Sequence, residues 1–330
     1  MDKEQEEIQF LGFFGIFKES FKIISSWRRI FSEITLAIIL PLSFIFLAHI
    51  EISELLFAKI LHNEYILHRF PEGTPKYAKL SDIISSEWTA FWLFKISYFI
   101  FFLILSLLST SAVVYTIACI YTAKEITFKK VMSVVPKVWK RLMVTFIWNF
   151  IIVFAYNVVA LVLLVLWVIL IGPATIGLVI LAIFVILYLM GFVYTSVVWH
   201  LASVVSVLED VYGIQAMIKS NALIKGKMGV AIAIFLLLTL CFIVIQLVFQ
   251  WYVVLGKSFG SRIGFGILCF LLLFMLILFG LVIQTVLYFV CKSYHHENID
   301  KSSLADHLEV YLGEYVPLKA KDVQLEQFDV

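Results

Sequence analysis

The sequence predicts an all-α fold, a polytopic membrane helix bundle of six transmembrane helices, and three observations carry that expectation. Hydrophobic residues make up 62% of the 330-residue chain and charged residues only 15%, with a mean hydropathy of +1.02; a soluble domain holds about a quarter charged residues and could not bury this much apolar surface. The apolar residues gather into six blocks, each near or above the roughly 20 residues that cross a hydrocarbon core. Lysine and arginine collect on alternate connections, as the positive-inside rule requires of a multi-pass chain.

Taken in order, the N-terminus MDKEQEEIQF is acidic, and no short apolar region with a small-residue cleavage site follows it. No cleaved signal is therefore expected, and the first span serves as the insertion signal. Spans are expected at about 31–50, 91–122, 142–171, 174–207, 229–255 and 263–291. Several exceed the minimum, so they must tilt or continue as helix past the hydrocarbon. Only IGPATIG separates the third from the fourth, and Gly172-Pro173 there sets a tight turn, so the pair reads as a transmembrane hairpin. Cys119, Cys241, Cys269 and Cys291 all lie in apolar segments without a CxxC spacing and read as small buried hydrophobes, with palmitoylation of Cys291 as the alternative.

The flanking cations set the orientation. Lys3, Lys18, Lys22, Arg28 and Arg29 precede the first span; Lys124, Lys129, Lys130, Lys137, Lys140 and Arg141 separate the second and third; Lys219, Lys225 and Lys227 separate the fourth and fifth; Lys292, Lys301, Lys319 and Lys321 follow the sixth. Those 18 cations face only seven on the other side: Lys59, Arg69, Lys76, Lys79, Lys95, Lys257 and Arg262. Both termini are expected in the cytosol.

The segments before the odd-numbered spans resemble one another: IFKESFKIISSWRRI at 16–30, TFKKVMSVVPKVWKRL at 127–142 and GIQAMIKSNALIKGKM at 213–228. Phe17 matches Phe128, Lys18 matches Lys129, and Trp27-Arg28-Arg29 matches Trp139-Lys140-Arg141 after a one-residue gap. The reading is an integral membrane domain over 1–292, built as three repeats (about 10–122, 123–207 and 208–292), each a basic interfacial helix followed by two spans, with an acidic cytosolic tail at 293–330. Apolar residues at helical spacing, such as Val131, Val134, Val135 and Val138, opposite cations are the mark of a helix lying flat in the interface. Pro136 should split the second copy into two short helices or kink it. Lys18, Lys22, Arg28, Arg29, Lys129, Lys130, Lys137, Lys140, Arg141, Lys219, Lys225 and Lys227 are thus expected to contact lipid headgroups of the anionic cytosolic leaflet. The alternative is that these cations only set topology and snorkel from helix ends.

Thr145, Asn149, Tyr156 and Asn157 fall on roughly one side of the third span, while Gln246, Gln250 and Gln284 sit in the fifth and sixth. Uncharged polar groups in membranes mostly bond between helices; the alternative is a cavity lined by Thr145, Asn149, Asn157, Gln246 and Gln250. Ionisable residues are scarce in the spans, with Glu33, His49, Lys95 and His200 near predicted ends where snorkelling relieves their cost. That disfavours a proton-coupled transporter or ion channel. His62, Glu64 and His68 lack a zincin spacing, and their loop reads as an exposed helix ended by the turn at 71–75. His295-His296 has no companion cluster. Glu209-Asp210 is explained by pairing with Lys219 or by capping the following helix. There is no Gly-rich phosphate loop and no G-x-S-x-G, so no catalytic residue, cofactor or metal is expected. The net charge of +2 suggests no nucleic-acid partner. The tail from Lys292 carries eight acids against four cations and should leave an anionic leaflet. Its apolar LEVYLGEYVPLK, with Leu308, Tyr311, Leu312, Tyr315 and Leu318, is expected to dock on the bundle or bind a cytosolic protein.

The stretches WHLASVVSVLEDVYGIQAMIKSNALIKGK (199–227), KEITFKKVMSVVPKVWKRL (124–142) and HLEVYLGEYVPLK (307–319) resemble a plant family of six-span transmembrane proteins, over nearly the whole chain. The E-x(6)-A-x(3)-S-x(5)-G pattern at Glu209, Ala216, Ser220 and Gly226 is also similar to the membrane domain of some bacterial glycerophosphodiester phosphodiesterases. The resemblance implies an α-helical bundle in endomembranes, and some plant members are named as partners of a poly(A)-binding protein. It does not imply phosphodiesterase activity, because the catalytic part of that family is a separate soluble barrel. The expected function is that of a non-enzymatic multi-pass protein of the endoplasmic reticulum or another endomembrane, with the plasma membrane as the other location. Its role would be scaffolding, trafficking or membrane organisation. The alternative is a transporter of a lipid or other amphipathic small molecule.

Overall fold

With no water in a bilayer core, each backbone N–H must be satisfied within its own segment, so long apolar blocks fold as helix. The computed structural model describes residues 9–71, 73–122, 126–170 and 175–295, and no strand occurs among them. Helix α1 is Phe13–Ser26. Helices α2 (Arg28–Leu67), α3 (Pro75–Tyr121), α4 (Phe128–Leu170), α5 (Thr175–Leu208), the short α6 (Ile214–Ile224), α7 (Met228–Val254) and α8 (Phe259–Tyr294) follow. Six of them, α2 to α5 with α7 and α8, are long and apolar enough to cross a membrane, and each contains most or all of an expected span. The Gly172-Pro173 turn and the tail residues Leu308, Tyr311, Leu312, Tyr315 and Leu318 lie outside the described residues.

As expected of the segment around His62, Glu64 and His68, helix continues past the first span, and α2 and α3 reach 40 and 47 residues. At 1.5 Å per residue these are about 60 and 70 Å long, against a hydrocarbon core of about 30 Å. The excess forms a helical hairpin on the connection between the first two spans. Lys59 pairs with Glu87 at 3.0 Å, Asn63 donates to Glu87 at 2.8 Å, and the Trp88 indole donates to Glu64 at 3.1 Å. Glu64 is thus a strut between helices, and among the described residues no metal-ligating cluster occurs. Within α2, Pro41 cannot donate to the preceding turn, and a π-helical turn over Thr35–Ile39 absorbs the disruption.

The chain divides into two compact units, one on Val114–Met228 with the chain from Gln284, the other on Phe13–Val113 with Gly229–Ile283. These units cut across the three expected repeats. In the second unit Leu47, Ile245, Phe249, Cys269 and Leu273 form a buried cluster, with Phe46 and Phe242 packed on it. In the first, α4 packs on α5, and α6 packs on both. Beyond this core the α4–α5 hairpin stands alone in its unit: the most apolar stretches of α4 and α5 are 0% and 6% buried. Surface of that size on a water-exposed protein would drive association; here it suits lipid. The hairpin is fastened by Tyr156 to the Tyr188 carbonyl at 2.7 Å, Tyr188 to Asn157 at 2.9 Å, and Trp167 to the Gly177 carbonyl at 3.0 Å. Cys119, Cys269 and Cys291 are buried as expected, whereas Cys241 is exposed on α7, an apolar helix whose outer face has little protein against it.

Candidate functional site

The three basic segments fold in two different ways. Helix α1 buries Ile16, Glu19, Ser20 and Ile23. At 100° per residue, Phe14, Lys18, Phe21 and Lys22 share an arc of about 100° on the opposite side, and all four are exposed. The helix ends at Trp27, whose backbone leaves the helical region (φ −115°, ψ 39°) before α2 begins at Arg28. Helix α6 likewise stands apart from the spans. It buries Ala216, Met217, Ser220, Leu223 and Ile224 and exposes Ile214 and Ile218, with Lys219 and Lys227 half-buried and Lys225 exposed around it. An apolar edge flanked by lysines is the chemistry of a helix seated at a headgroup boundary.

The second segment is not such a helix. It forms the first turns of α4, which runs without a break from Phe128 to Leu170 with Pro136 inside it, and the expected split into two short helices does not occur. Val131, Val134, Val135 and Val138 are at most 1% exposed. Burying four valines is worth about 6 kcal/mol at roughly 1.5 kcal/mol each, against about 3 kcal/mol for an interior proline. The stripe on both sides of Pro136 holds the helix together. Lys129, Lys137 and Lys140 are exposed and Lys130 and Arg141 half-buried, so this element offers cations to its surroundings but no apolar face.

Where α5 ends, Glu209 collects polar contacts from α6 and α8. Its side chain is 11% exposed. Lys292 of α8 sits 3.0 Å from Oε1, Lys219 of α6 sits 2.5 Å from Oε2, and the Tyr288 hydroxyl donates to Oε1 at 2.5 Å. Burial alone would raise the carboxyl, but hydrogen bonds from Lys219 and Tyr288 and the charge and bond of Lys292 outweigh it and hold Glu209 below its ordinary value of 4.5. Beside it Arg141 of α4 pairs with Asp210 at 2.9 Å. The expected Glu209–Lys219 pair is therefore present; the capping role is not, because Gly213 caps α6 without a side-chain bond.

The same geometry explains the E-A-S-G pattern one residue at a time. Ala216 and Ser220 are fully buried, and the Ser220 hydroxyl donates to the Val198 carbonyl at 2.7 Å, tying α6 to α5. Gly226 has φ +92°, and a Cβ there would collide with the Tyr294 ring. His295 Nε2 lies 3.0 Å from the Leu223 carbonyl and 2.8 Å from that of Lys225, closing the end of α6. All four pattern residues thus hold the α5–α6–α8 junction. Nothing in them presents a nucleophile or a general base with an accessible partner.

The residues grouped as a cavity lining are placed differently from one another. The Thr145 hydroxyl meets Ser206 at 2.7 Å and accepts the Gly213 N–H at 2.8 Å, fixing the turn into α6. Asn149 is buried, and its Oδ1 has no hydrogen-bond partner among the described residues. Asn157 is exposed on the hairpin, donating to the Val153 carbonyl at 2.7 Å and accepting from Tyr188. Gln246 and Gln250 are half-buried on α7, in the other unit. Gln284 faces His200 Nδ1 at 3.2 Å. Interhelical bonding, the ordinary role of such groups, is observed for Thr145, Asn157 and Gln284. The sequence did not point to Tyr288 and Lys292 as partners of Glu209, since 79 and 83 residues separate them.

Residues 1–328 match the family described as Domain of unknown function (DUF8558), and the chain belongs to that family. No curated protein and no solved structure matches it.

Proposed function

We propose that this member of the DUF8558 family is a multi-pass endomembrane protein with both termini in the cytosol. Its short basic helices seat on the anionic cytosolic leaflet, and its role is scaffolding, trafficking or membrane organisation rather than catalysis. The observation that carries this reading is the exposed arc of α1, where Phe14 and Phe21 form one edge and Lys18 and Lys22 the other. Phe14 faces outward and Phe21 stays largely exposed beside Phe279 of α8; these rings need an apolar medium, the two lysines next to them need phosphate, and an acidic leaflet supplies both. Helix α6 repeats the composition, with Ile214 and Ile218 exposed on it and Lys225 and Lys227 just past its end. The tail would recruit a cytosolic protein or fold back on the bundle.

The test is the lipid that stays with the full-length protein. Each cation near an acidic surface contributes about 1 kcal/mol, so replacing Lys18, Lys22, Lys225 and Lys227 by glutamine should lower the ratio of co-purifying phosphatidylserine to phosphatidylcholine at least about tenfold. An unchanged ratio in a folded variant would remove the basis of the proposal. The transport alternative requires Thr145, Asn149, Asn157, Gln246 and Gln250 to converge on one cavity; the hydroxyl of Thr145 is already committed to Ser206 and Gly213.

A further inference from the structure

The second unit holds a lysine without a counter-ion at a membrane boundary. Lys95 of α3 has its Nζ 2.9 Å from His49 Nε2 and 2.9 Å from Ser53 Oγ, both on α2, and lies 5.2 Å from the centre of the Phe91 ring. Among the described residues none of its partners is a carboxylate. Of the acids nearby in sequence, Glu51 pairs with Arg262 and Glu87 with Lys59, while Glu54 is exposed on α2 and makes no ion pair with Lys95. The site is built rather than loose. The His49 ring is stacked on Tyr98 at 3.6 Å and parallel to Phe94 at 5.9 Å, and Ser53 lies one turn further along α2, so two side chains on a packed helix hold the ammonium in place.

Helix length locates this group. Starting from Arg28 and Arg29, about 20 residues of α2 cross a hydrocarbon core and reach His49. Counted back from the end of α3 at Tyr121, Lys95 lies about 39 Å away, one such thickness with about two further turns of helix. Trp92 and Tyr98, each one turn from Lys95 on α3, are of the residue types that mark headgroup depth. An ionisable group placed there with neutral partners only is a binding hypothesis by default.

We infer that Lys95, His49 and Ser53 form a site for the phosphate of an anionic phospholipid in the leaflet opposite the one α1 contacts. The ammonium and the serine hydroxyl meet the phosphate oxygens, and the exposed Ile96 and Phe99, further along α3 toward the hydrocarbon, take the start of the acyl chains. A lipid with net negative charge neutralises the lysine, whereas a zwitterionic headgroup brings its own cation to the same spot. The inference holds whichever side of the membrane the termini occupy, and it can fail while the α1 reading stands.

A photo-crosslinking benzoylphenylalanine at Trp92, one turn from Lys95, reads this site locally in full-length protein reconstituted in nanodiscs of equal phosphatidylserine and phosphatidylcholine. The expected adducts favour phosphatidylserine by about tenfold, and Lys95→Gln brings the ratio to about one, while Lys59→Gln on the projecting hairpin leaves it unchanged. His49→Gln and Ser53→Ala should lower it several-fold, and they decide the matter if Lys95→Gln does not insert. Parity in the otherwise unaltered protein, or a preference that survives Lys95→Gln, overturns the proposal. Loss of the lipid preference with about 10 mM inorganic phosphate would assign the site to free phosphate instead, and would also overturn it.

Discussion

Replacing Glu209 by glutamine removes the one negative charge to which α5, α6 and α8 all attach. Glutamine keeps one acceptor oxygen: at the Oε1 position it still accepts from Tyr288 and Lys292, without the carboxylate charge, and the bond from Lys219 is lost. Charge-assisted bonds contribute about 1.5–3 kcal/mol each, but Lys219, 34% exposed, can turn to solvent, whereas Lys292, 18% exposed, is left facing an amide. The net loss comes to about 3 kcal/mol, at the lower end of what removing one member of a buried ion pair costs. For a chain of this size that lowers the melting temperature by about 4 °C. The assay is thermal unfolding of the purified full-length protein in lipid-detergent micelles, with Asp210→Asn as the matched control. Asp210 is 75% exposed, and its loss should cost less than about 1 kcal/mol. Replacing Glu209, Lys219 and Lys292 together by methionine should recover much of the stability, because the desolvation cost leaves with the charges. A shift below about 1 °C for Glu209→Gln, or equal shifts for the two acids, would refute the claim that Glu209 holds this junction.

Four further outcomes follow from the same geometry. Because the folded carboxyl of Glu209 is lowered from 4.5, its contribution is fully present above that value and is lost as pH falls through the lowered one. The gap in melting temperature between wild type and Glu209→Gln should stay level from about pH 5 to 8 and close below about 4.5. Gly226→Ala must place a side chain at φ +92° against Tyr294; about 2–3 kcal/mol should be lost, seen as a drop in melting temperature or in folded yield. Ser220→Ala deletes the bond to Val198 and should cost about 1 kcal/mol in the same unfolding assay. A glycosylation acceptor near Lys76 should be modified during insertion into endoplasmic reticulum membranes and one near Lys137 should not; the reverse pattern would invert the topology.

What the sequence revealed was what depends on local composition. Twenty apolar residues must be helix in lipid whatever they pack against, so the six spans were legible, as was the Glu209–Lys219 pair, ten residues apart with a turn between. Pro136 misled because its local cost of about 3 kcal/mol is visible in the sequence, while the burial of the valines around it depends on partners that are not. The 51–67 and 75–90 segments carry no strong apolar period, and their continuation as helix rests on bonds such as Asn63 to Glu87 across 24 residues. Thr145 read as one member of a polar stripe. Only the fold brings Gly213 to it from 68 residues away. Lys95 looked like an ordinary snorkelling lysine because His49 and Ser53, 46 and 42 residues distant, could not be assigned to it.

The central claim is that α1 meets lipid through its phenylalanine and lysine arc. Benzoylphenylalanine at Phe14, whose ring is 83% exposed, tests it in native membranes, with the crosslinked mass read by mass spectrometry. Phospholipid adducts enriched in acidic headgroups are expected, reduced when Lys18 and Lys22 are glutamine. Adducts to another protein, or none above the level of a water-exposed control position, would contradict it.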